Sequence, residues 1–278
     1  MPELPEVESI ANRLRQGAEH QPPLIGARVL SSEVLWQKSL AHPSPEIFNR
    51  LVVGKTIQAI GRRGKFLIFE LENLTLLIHL RMSGDLWVES VERPPAPHRR
   101  LILNFHNDYR LTFHDPRKFG RVWLVENPDH ILGELGPEPF DSGLTAEVFH
   151  QKLTQVRRQL KPLLLDQRFI AGLGNIYTDE ALHCAAMHPL ELSNRVSPAQ
   201  AARLLECIRA VLAEGIRRNG ASIDWVYRGG DFQNYFRVYK RAGLPCPVCG
   251  MPIQRITIGQ RGTHFCPNCQ PFQPQGRG

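Results

Sequence analysis

The chain has 278 residues, 42% of them hydrophobic and 22% charged, which is enough apolar mass for more than one core and excludes wholesale disorder. No run approaches the roughly 18 uncharged apolar residues of a membrane helix. Met1-Pro2-Glu3-Leu4-Pro5-Glu6 has neither the basic nor the apolar region of a signal peptide, so the chain is expected to be soluble and cytoplasmic. Thirty-four Lys+Arg against 27 Asp+Glu leave a net charge of +7. Residues 221–278 hold seven Lys/Arg and two acids, so most of that excess sits at one end. A tail facing a polyanion is the favoured reading; a merely solvated basic face is the alternative.

In chain order, Val7, Ile10, Ala11 and Leu14 recur at helical spacing and predict a first helix from residue 4 to about 20. Strand-like runs follow at 27–35, 55–60, 66–71, 74–80, 85–91, 100–105, 110–114 and 121–125. Gly, Asn-Asp and Pro-rich breaks separate them, the rhythm of a β-sandwich or barrel. Leu135-Gly136-Pro137-Glu138-Pro139 reads as a linker. Beyond it Phe149, Leu153, Val156 and Leu160 predict one amphipathic helix, and the turn Gly172-Leu173-Gly174-Asn175 precedes a second helix through Ala186. Ser197-Pro198-Ala199-Gln200 is a capping box with proline in the first helical position; it opens a third helix that closes near Asn219-Gly220.

Six cysteines fall into two classes. Cys184 and Cys207 stand alone in helical patterns and read as buried thiols. Cys246-Pro-Val-Cys249 and Cys266-Pro-Asn-Cys269 are two knuckles separated by sixteen residues. Each offers two thiolates from one tight turn, which suits one tetrahedral zinc ion with a hairpin between the knuckles. Two disulfides are the alternative, disfavoured in an unexported chain. Four sulfurs leave no open position on the metal, so its role would be structural.

Pro2 carries the most chemistry. If Met1 is removed, Pro2 presents a secondary α-amine; such groups have reference pKa values of about 7.7–8.0, so roughly a tenth is a free nucleophile at neutral pH. That amine can attack the C1′ of a nucleotide sugar and persist as an iminium. Glu3 is a candidate general acid or base and Glu6 a second carboxylate; alternatively both are acids in a first helical turn. Lys65 could equally be an exposed strand lysine, and Met82 and Phe119 core residues. Arg261 stands at the expected hairpin tip, where a guanidinium can grip phosphate in a bidentate manner.

Six motifs then occur in order: Met-Pro-Glu-Leu-Pro-Glu-Val-Glu at 1–8, Gly64-Lys65-Phe66, His79-Leu80-Arg81-Met82-Ser83-Gly84, Asp115-Pro116-Arg117-Lys118-Phe119-Gly120, Gly172-Leu173-Gly174-Asn175-Ile176-Tyr177, and the four cysteines. Together, over essentially the whole chain, they resemble bacterial formamidopyrimidine-DNA glycosylases. The resemblance implies a multidomain α+β fold: an N-terminal β-sandwich with an N-terminal helix (1–134), a helix–two-turn–helix domain (135–228) and a C-terminal four-cysteine zinc-finger hairpin (229–278). It implies a bifunctional glycosylase/AP lyase that removes oxidised purines from duplex DNA, working as a monomer.

Residue by residue, the resemblance makes Pro2 the nucleophile, Glu3 the proton donor, Lys65 an aid to β-elimination and Arg261 a phosphate grip for the later elimination. Such enzymes flip the base and fill the hole, a task that falls to Met82, Arg117 and Phe119. His79, His98, Lys161, Asn175 and Tyr177 match DNA-contacting or supporting positions, as Tyr239 and Lys240 do more loosely. One family lysine, about six residues before Lys161-Pro162, has no counterpart in Gln155-Val156-Arg157-Arg158; Arg157 is the candidate to replace its charge. The base-covering loop should lie within 220–233, with no base-reading residue assignable. An endonuclease VIII-like enzyme for oxidised pyrimidines is the nearest alternative. A catalytically silent zinc-finger DNA-binding protein, which has no use for Pro2, Glu3 or Lys65, is a more distant one.

Overall fold

Pro5 in the first turn and a buried stripe of Leu4, Val7, Ile10, Ala11 and Leu14 set the first helix, α1 (Leu4–Gln16), in a computed structural model that describes residues 1–19, 21–222 and 229–272. The helix stops at Gly17, whose φ of 78° and tight approach to the Gln21 carbonyl exclude a side chain. The chain divides into two compact units, Met1–Gly133 with Asn219–Gly230, and Glu134–Arg218 with Asp231–Gly278. The third expected segment, the finger, thus groups with the helices that precede it.

Among the described residues the first unit holds nine strands: β1 (Val29–Val34), β2 (Leu40–His42), β3 (Ala59–Arg63), β4 (Phe66–Leu71), β5 (Leu74–His79), β6 (Asp85–Ser90), β7 (Arg99–Phe105), β8 (Tyr109–His114) and β9 (Arg121–Val125). They form a four-stranded sheet, β1-β7-β8-β6, and a five-stranded sheet, β2-β9-β5-β4-β3. Neither sheet closes on itself, which decides for the sandwich over the barrel. All pairs are antiparallel except β2 with β9. One core runs from Val7 and Leu14 through Phe69 and Ile78 to Leu103 and Phe113, joining α1 to both sheets. Three elements escape the sequence reading: β2, helix α2 (Pro45–Val52) and the short helix at Asp129–Leu132. Helix α2 carries the same Ser-Pro opening as the third predicted helix, with the Ser44 hydroxyl accepting the Ile47 N–H at 3.4 Å. The run expected at 55–60 pairs only from Ala59 onward, its earlier part making a single bridge between Arg28 and Thr56. A one-turn helix, α3 (Asp129–Leu132), ends this unit's longer segment.

The second unit contains α4 (Ala146–Thr154), α5 (Leu160–Leu165), α6 (Asn175–Cys184) and α7 (Pro198–Arg217), then the hairpin of β10 (Gln254–Ile258) and β11 (Arg261–Phe265). The single helix expected across 149–160 is two. Ser193 interposes: its hydroxyl donates to the Val156 carbonyl at 2.6 Å and accepts the Arg158 N–H at 3.2 Å, taking backbone groups a continuous helix would need. Helix α5 restarts with Pro162 in its first turn, where no N–H is required. The capping box on α7 is present as expected, with Gln200 and Ser197 bonded reciprocally. Gly215 of α7 lies against the Tyr177 ring, closer than any side chain would permit. Cys184 and Cys207, expected as free thiols, instead form a disulfide between α6 and α7. Each helical pattern predicts burial, but only the docking of α6 on α7 brings the two sulfurs to bonding distance.

The finger is held on α6 by two successive buried acids. Glu180 accepts the backbone N–H groups of Arg237, Val238 and Tyr239 at 2.8–3.0 Å, and Asp179 accepts that of His264 at 2.9 Å. Burial drives the Glu180 carboxyl above its ordinary pKa, while those three donors oppose the shift. Replacing Glu180 with Ala removes the acceptor of three N–H groups, of which that of Val238 is buried, and at about 1–3 kcal/mol per orphaned buried group should destabilise this unit by at least about 1–3 kcal/mol. Urea unfolding followed by tryptophan-independent far-UV signal measures it; a loss under about 1 kcal/mol would mean that water replaces the carboxylate.

Candidate active site and nucleic-acid interface

In the first unit, Pro2 and Glu3 immediately precede α1 and are both buried. The Glu3 N–H donates to Glu6 Oε2 at 2.8 Å, so the cap of α1 fixes the backbone beside Pro2. The other oxygen of Glu6 accepts the Ala221 N–H at 2.7 Å, and Gly220 packs so tightly on this carboxylate that a side chain there would collide with it. Glu6 therefore ties the N-terminus to the start of the segment expected to cover a flipped base. Of that segment, 223–228 lie outside the described residues.

The direction of α1 is set by two side-chain bonds. Arg62 donates to Glu8 at 2.8 Å and Arg15 to the Ile60 carbonyl at 3.2 Å. The N-terminal end of the helix thus runs toward the β3–β4 turn that carries Lys65, a buried lysine beside Gly64 at φ 56°. On the neighbouring strand β5, Phe66 pairs with His79, whose ring lies edge-on at 4.7 Å. His79 Nδ1 accepts the Arg81 N–H at 3.0 Å. Burial, with the charges of Arg81 and Lys65 adding to it, holds the His79 pKa down to about 3, so the ring is neutral at any working pH.

Two turns leave the same end of the sandwich, and Asp115 joins them. Its carboxylate bonds the Ser83 hydroxyl of the first turn and accepts the Gly120 N–H of its own turn at 2.7 Å, while Ser83 accepts the Arg117 N–H at 3.2 Å. Its backbone is held as well, by the His98 carbonyl at 3.0 Å and the Arg100 guanidinium at 2.8 Å. Locked this way, the turns present Met82 (39% exposed), Arg117 and Phe119 (47% exposed) outward, with the Arg117 guanidinium 5.0 Å above the Phe119 ring. Met82 and Phe119 are therefore surface residues and not core. His98 is exposed, with φ 68°. Asp115 and Ser83 lie within the quoted motifs but carry no expected role; a buried Asp spaced five residues from a glycine in a turn was the available signal.

In the second unit, Asn175 opens α6 and its Nδ2 donates to the Gly262 carbonyl at 3.0 Å, directly beside the exposed Arg261. The structure thus brings Asn175 and Arg261 to one place, 86 positions apart in sequence. Two residues expected in the DNA-binding set do not reach the surface. Lys161 is fully buried, its ammonium held by the Asn175 carbonyl at 3.0 Å and by Asp179 at 2.5 Å. Tyr177 is fully buried and stacks on Phe232 at 5.1 Å. Lys161 supports Asn175 through its carbonyl, while Tyr177 packs between Phe232 and Gly215 of α7; a buried partner for Lys161 became visible only once α5 lay against α6. Arg157 is exposed in the break between α4 and α5 and makes no ion pair among the described residues. Tyr239 packs edge-on against His264, inside the finger's attachment.

The sulfurs of Cys246, Cys249, Cys266 and Cys269 lie within 4.8 Å of one another, with pairs at 3.4 and 3.9 Å. Ligands about 2.3 Å from a tetrahedral zinc sit about 3.8 Å apart, so the set fits one zinc ion with no vacant position. The knuckle thiolates hold the hairpin whose tip carries Arg261.

Three family descriptions match successive parts of the chain: the formamidopyrimidine-DNA glycosylase N-terminal domain over residues 1–122, the H2TH domain of the same enzymes over 135–226, and a zinc finger found in FPG and IleRS over 243–271. The chain is 43% identical to a formamidopyrimidine-DNA glycosylase of Protochlamydia amoebophila, covering 97% of this chain and 99% of the relative. It is 44% identical to one of Chloroflexus aurantiacus, at 97% and 98%. Its fold is similar to that of Lactococcus lactis Fpg bound to abasic-site DNA, with a TM-score of 0.89, 35% identity, and coverage of 97% of this chain and 100% of that one. A MutM structure with DNA containing carbocyclic 8-oxo-G gives a TM-score of 0.88 at 36% identity, covering 98% and 100%.

The neutral His79 has a consequence for stability. Folded, it binds no proton until about pH 3; unfolded, it protonates near 6.5. Its contribution is therefore complete above pH 6.5 and is lost as pH falls from 6.5 toward 3, with a slope of about 1.4 kcal/mol per pH unit. His79→Gln, which keeps an acceptor for the Arg81 N–H, should remove this slope from the mutant, so that the wild-type-minus-mutant difference in unfolding free energy rises by about 1.4 kcal/mol per pH unit across pH 4–6. An identical slope in both proteins would mean that His79 protonates in the folded state.

Proposed function

Because the chain belongs to the formamidopyrimidine-DNA glycosylase family, we propose that it is a bifunctional DNA glycosylase/AP lyase that excises oxidised purines, 8-oxoguanine and formamidopyrimidines, from duplex DNA. The observation that carries this reading is the start of α1, where the Glu3–Glu6 cap fixes the backbone next to Pro2 and the helix runs toward Lys65. Its cofactor is one structural zinc ion in the four-cysteine finger. It works as a monomer in the bacterial cytoplasm at the nucleoid; no helix among the described residues is long and apolar enough to cross a membrane.

Removal of Met1 leaves Pro2 with a secondary amine. Its lone pair attacks C1′ of the damaged nucleotide, the C1′–N bond breaks, and Glu3 supplies a proton during sugar opening. The resulting iminium acidifies C2′, so loss of that proton expels the 3′ phosphate and a further elimination expels the 5′ phosphate. Lys65 assists the first elimination and Arg261 grips phosphate for the second. Met82 and Phe119 occupy the space left by the flipped base, and Arg117 hydrogen-bonds the orphaned partner. The exposure of two large apolar side chains on a cross-linked pair of turns supports that role. Zinc supplies no chemistry; it holds the hairpin of Arg261.

Borohydride should trap a covalent adduct between the protein and 8-oxoguanine or abasic duplex DNA, with the attached mass on Pro2, and Pro2→Gly should lose most of it. Undiminished trapping by Pro2→Gly moves the nucleophile elsewhere, and retention of Met1 in the active protein removes the free amine. Faster nicking at thymine glycol than at 8-oxoguanine would assign the chain to oxidised pyrimidines instead. Arg261→Ala should weaken binding to all duplex sequences and shallow the salt dependence by about one phosphate contact. An unchanged slope means the guanidinium does not meet the backbone.

A further inference from the structure

Away from the Pro2 and Asn175 regions, the second unit contains a cavity of about 590 Å³ between α6, α7 and residues 232–247. Its volume falls in the range of small-ligand sites. Cys184, the last residue of α6, lines it; Cys207, its disulfide partner, does not and is 7% exposed. This cavity thus reaches the disulfide from the Cys184 side. The walls are apolar, from Val211, Phe232 and Phe236, while the charges are cationic in balance. Glu180 is taken up by three backbone N–H groups, and Glu214 is paired with Arg217 and Arg218. Arg237 and Arg241, which also line the cavity, have no carboxylate partner among the described residues.

We propose that the Cys184–Cys207 disulfide is a thiol-exchange site, entered through this cavity by a small anionic thiol of the glutathione type and attacked at Cys184. The thiolate of the entering molecule bonds to Cys184 Sγ as the Sγ–Sγ bond breaks, and Cys207 leaves as a thiolate that takes a proton from water. A second molecule of thiol attacks the mixed disulfide on the small-molecule sulfur, releasing the oxidised dimer of the thiol and the Cys184 thiolate. Two electrons pass from two thiols to the protein disulfide. Two unpaired guanidinium groups raise the local concentration of an anionic thiol over a neutral one. In a reducing compartment, disulfides are characteristically of this exchanging kind. Reduction removes the covalent tie between α6 and α7 and leaves only their packing, and α6 is the helix that carries Asn175 at one end and holds the finger through Asp179 and Glu180. From the proposed function the inference takes only the reducing bacterial cytoplasm; the exchange itself involves neither Pro2 nor any DNA contact.

The full-length, zinc-loaded, oxidised protein is treated with reduced glutathione or with 2-mercaptoethanol, quenched with an alkylating agent and mapped by peptide mass. Each rate is normalised to that of the same thiol with free cystine. The expected result is a glutathione adduct on Cys184, alkylated Cys207, and a normalised preference for glutathione on the order of tenfold. The preference should vanish in Arg237→Gln/Arg241→Gln and return in Arg237→Lys/Arg241→Lys, a rescue that a folding defect would not give. An adduct on Cys207, equal normalised rates for the two thiols in the wild type, or two freely alkylated cysteines before any thiol is added would each overturn the proposal.

Discussion

A buried carboxylate must be saturated with hydrogen bonds, and in this chain that requirement positions nearly every functional segment. Removing a charge from water costs several kcal/mol in a protein interior, and charge-assisted bonds from backbone N–H groups return about 1.5–3 kcal/mol each. Glu6 takes the N–H groups of Glu3 and Ala221; Asp115 takes that of Gly120 along with the Ser83 hydroxyl; Asp179 takes that of His264; Glu180 takes three. In each case the acid sits on a regular element or at its edge, and the donors belong to a turn, an irregular segment or, for Asp179, the finger strand β11. The carboxylate thereby converts a turn or a finger, which has little packing of its own, into part of a rigid scaffold.

The same logic separates contact residues from supporting ones. Lys161 is a cation in a basic, DNA-binding chain, yet its ammonium is enclosed with Asp179 and the Asn175 carbonyl. Its charge offsets that of an acid already bonded to His264, so it stiffens the junction of α6 and β11 from which Asn175 and Arg261 project. Met82 and Phe119 show the opposite case. Burying either would gain about 1.5–3 kcal/mol, and the fold forgoes that gain to hold both on turns locked by Asp115. Such local departures from burial are where function is expected.

Much of this was legible in the residue order. Period-two runs, the Ser197 capping box, the stripe of α1 and the paired knuckles are short-range patterns, and each appears at or near its expected place. Helix α2 was equally legible from Ser44-Pro45 but lies among strand-like runs that outweighed it. The break between α4 and α5 was not legible, since the serine that makes it comes from position 193 and bonds chain near position 156.

Order along the chain, by itself, determined the inventory: a proline able to become a terminal amine, the acids beside it, the four thiolates, and the alternation that makes a sandwich. These depend on covalent chemistry and on periods of two and 3.6, which neighbours in sequence suffice to specify. Tertiary structure alone decided which polar groups meet water. Lys161 and Tyr177 went inside, Met82 and Phe119 stayed out, and Cys184 found Cys207. Burial and bonding distance are properties of elements packed together, and no spacing within one helix or strand contains them.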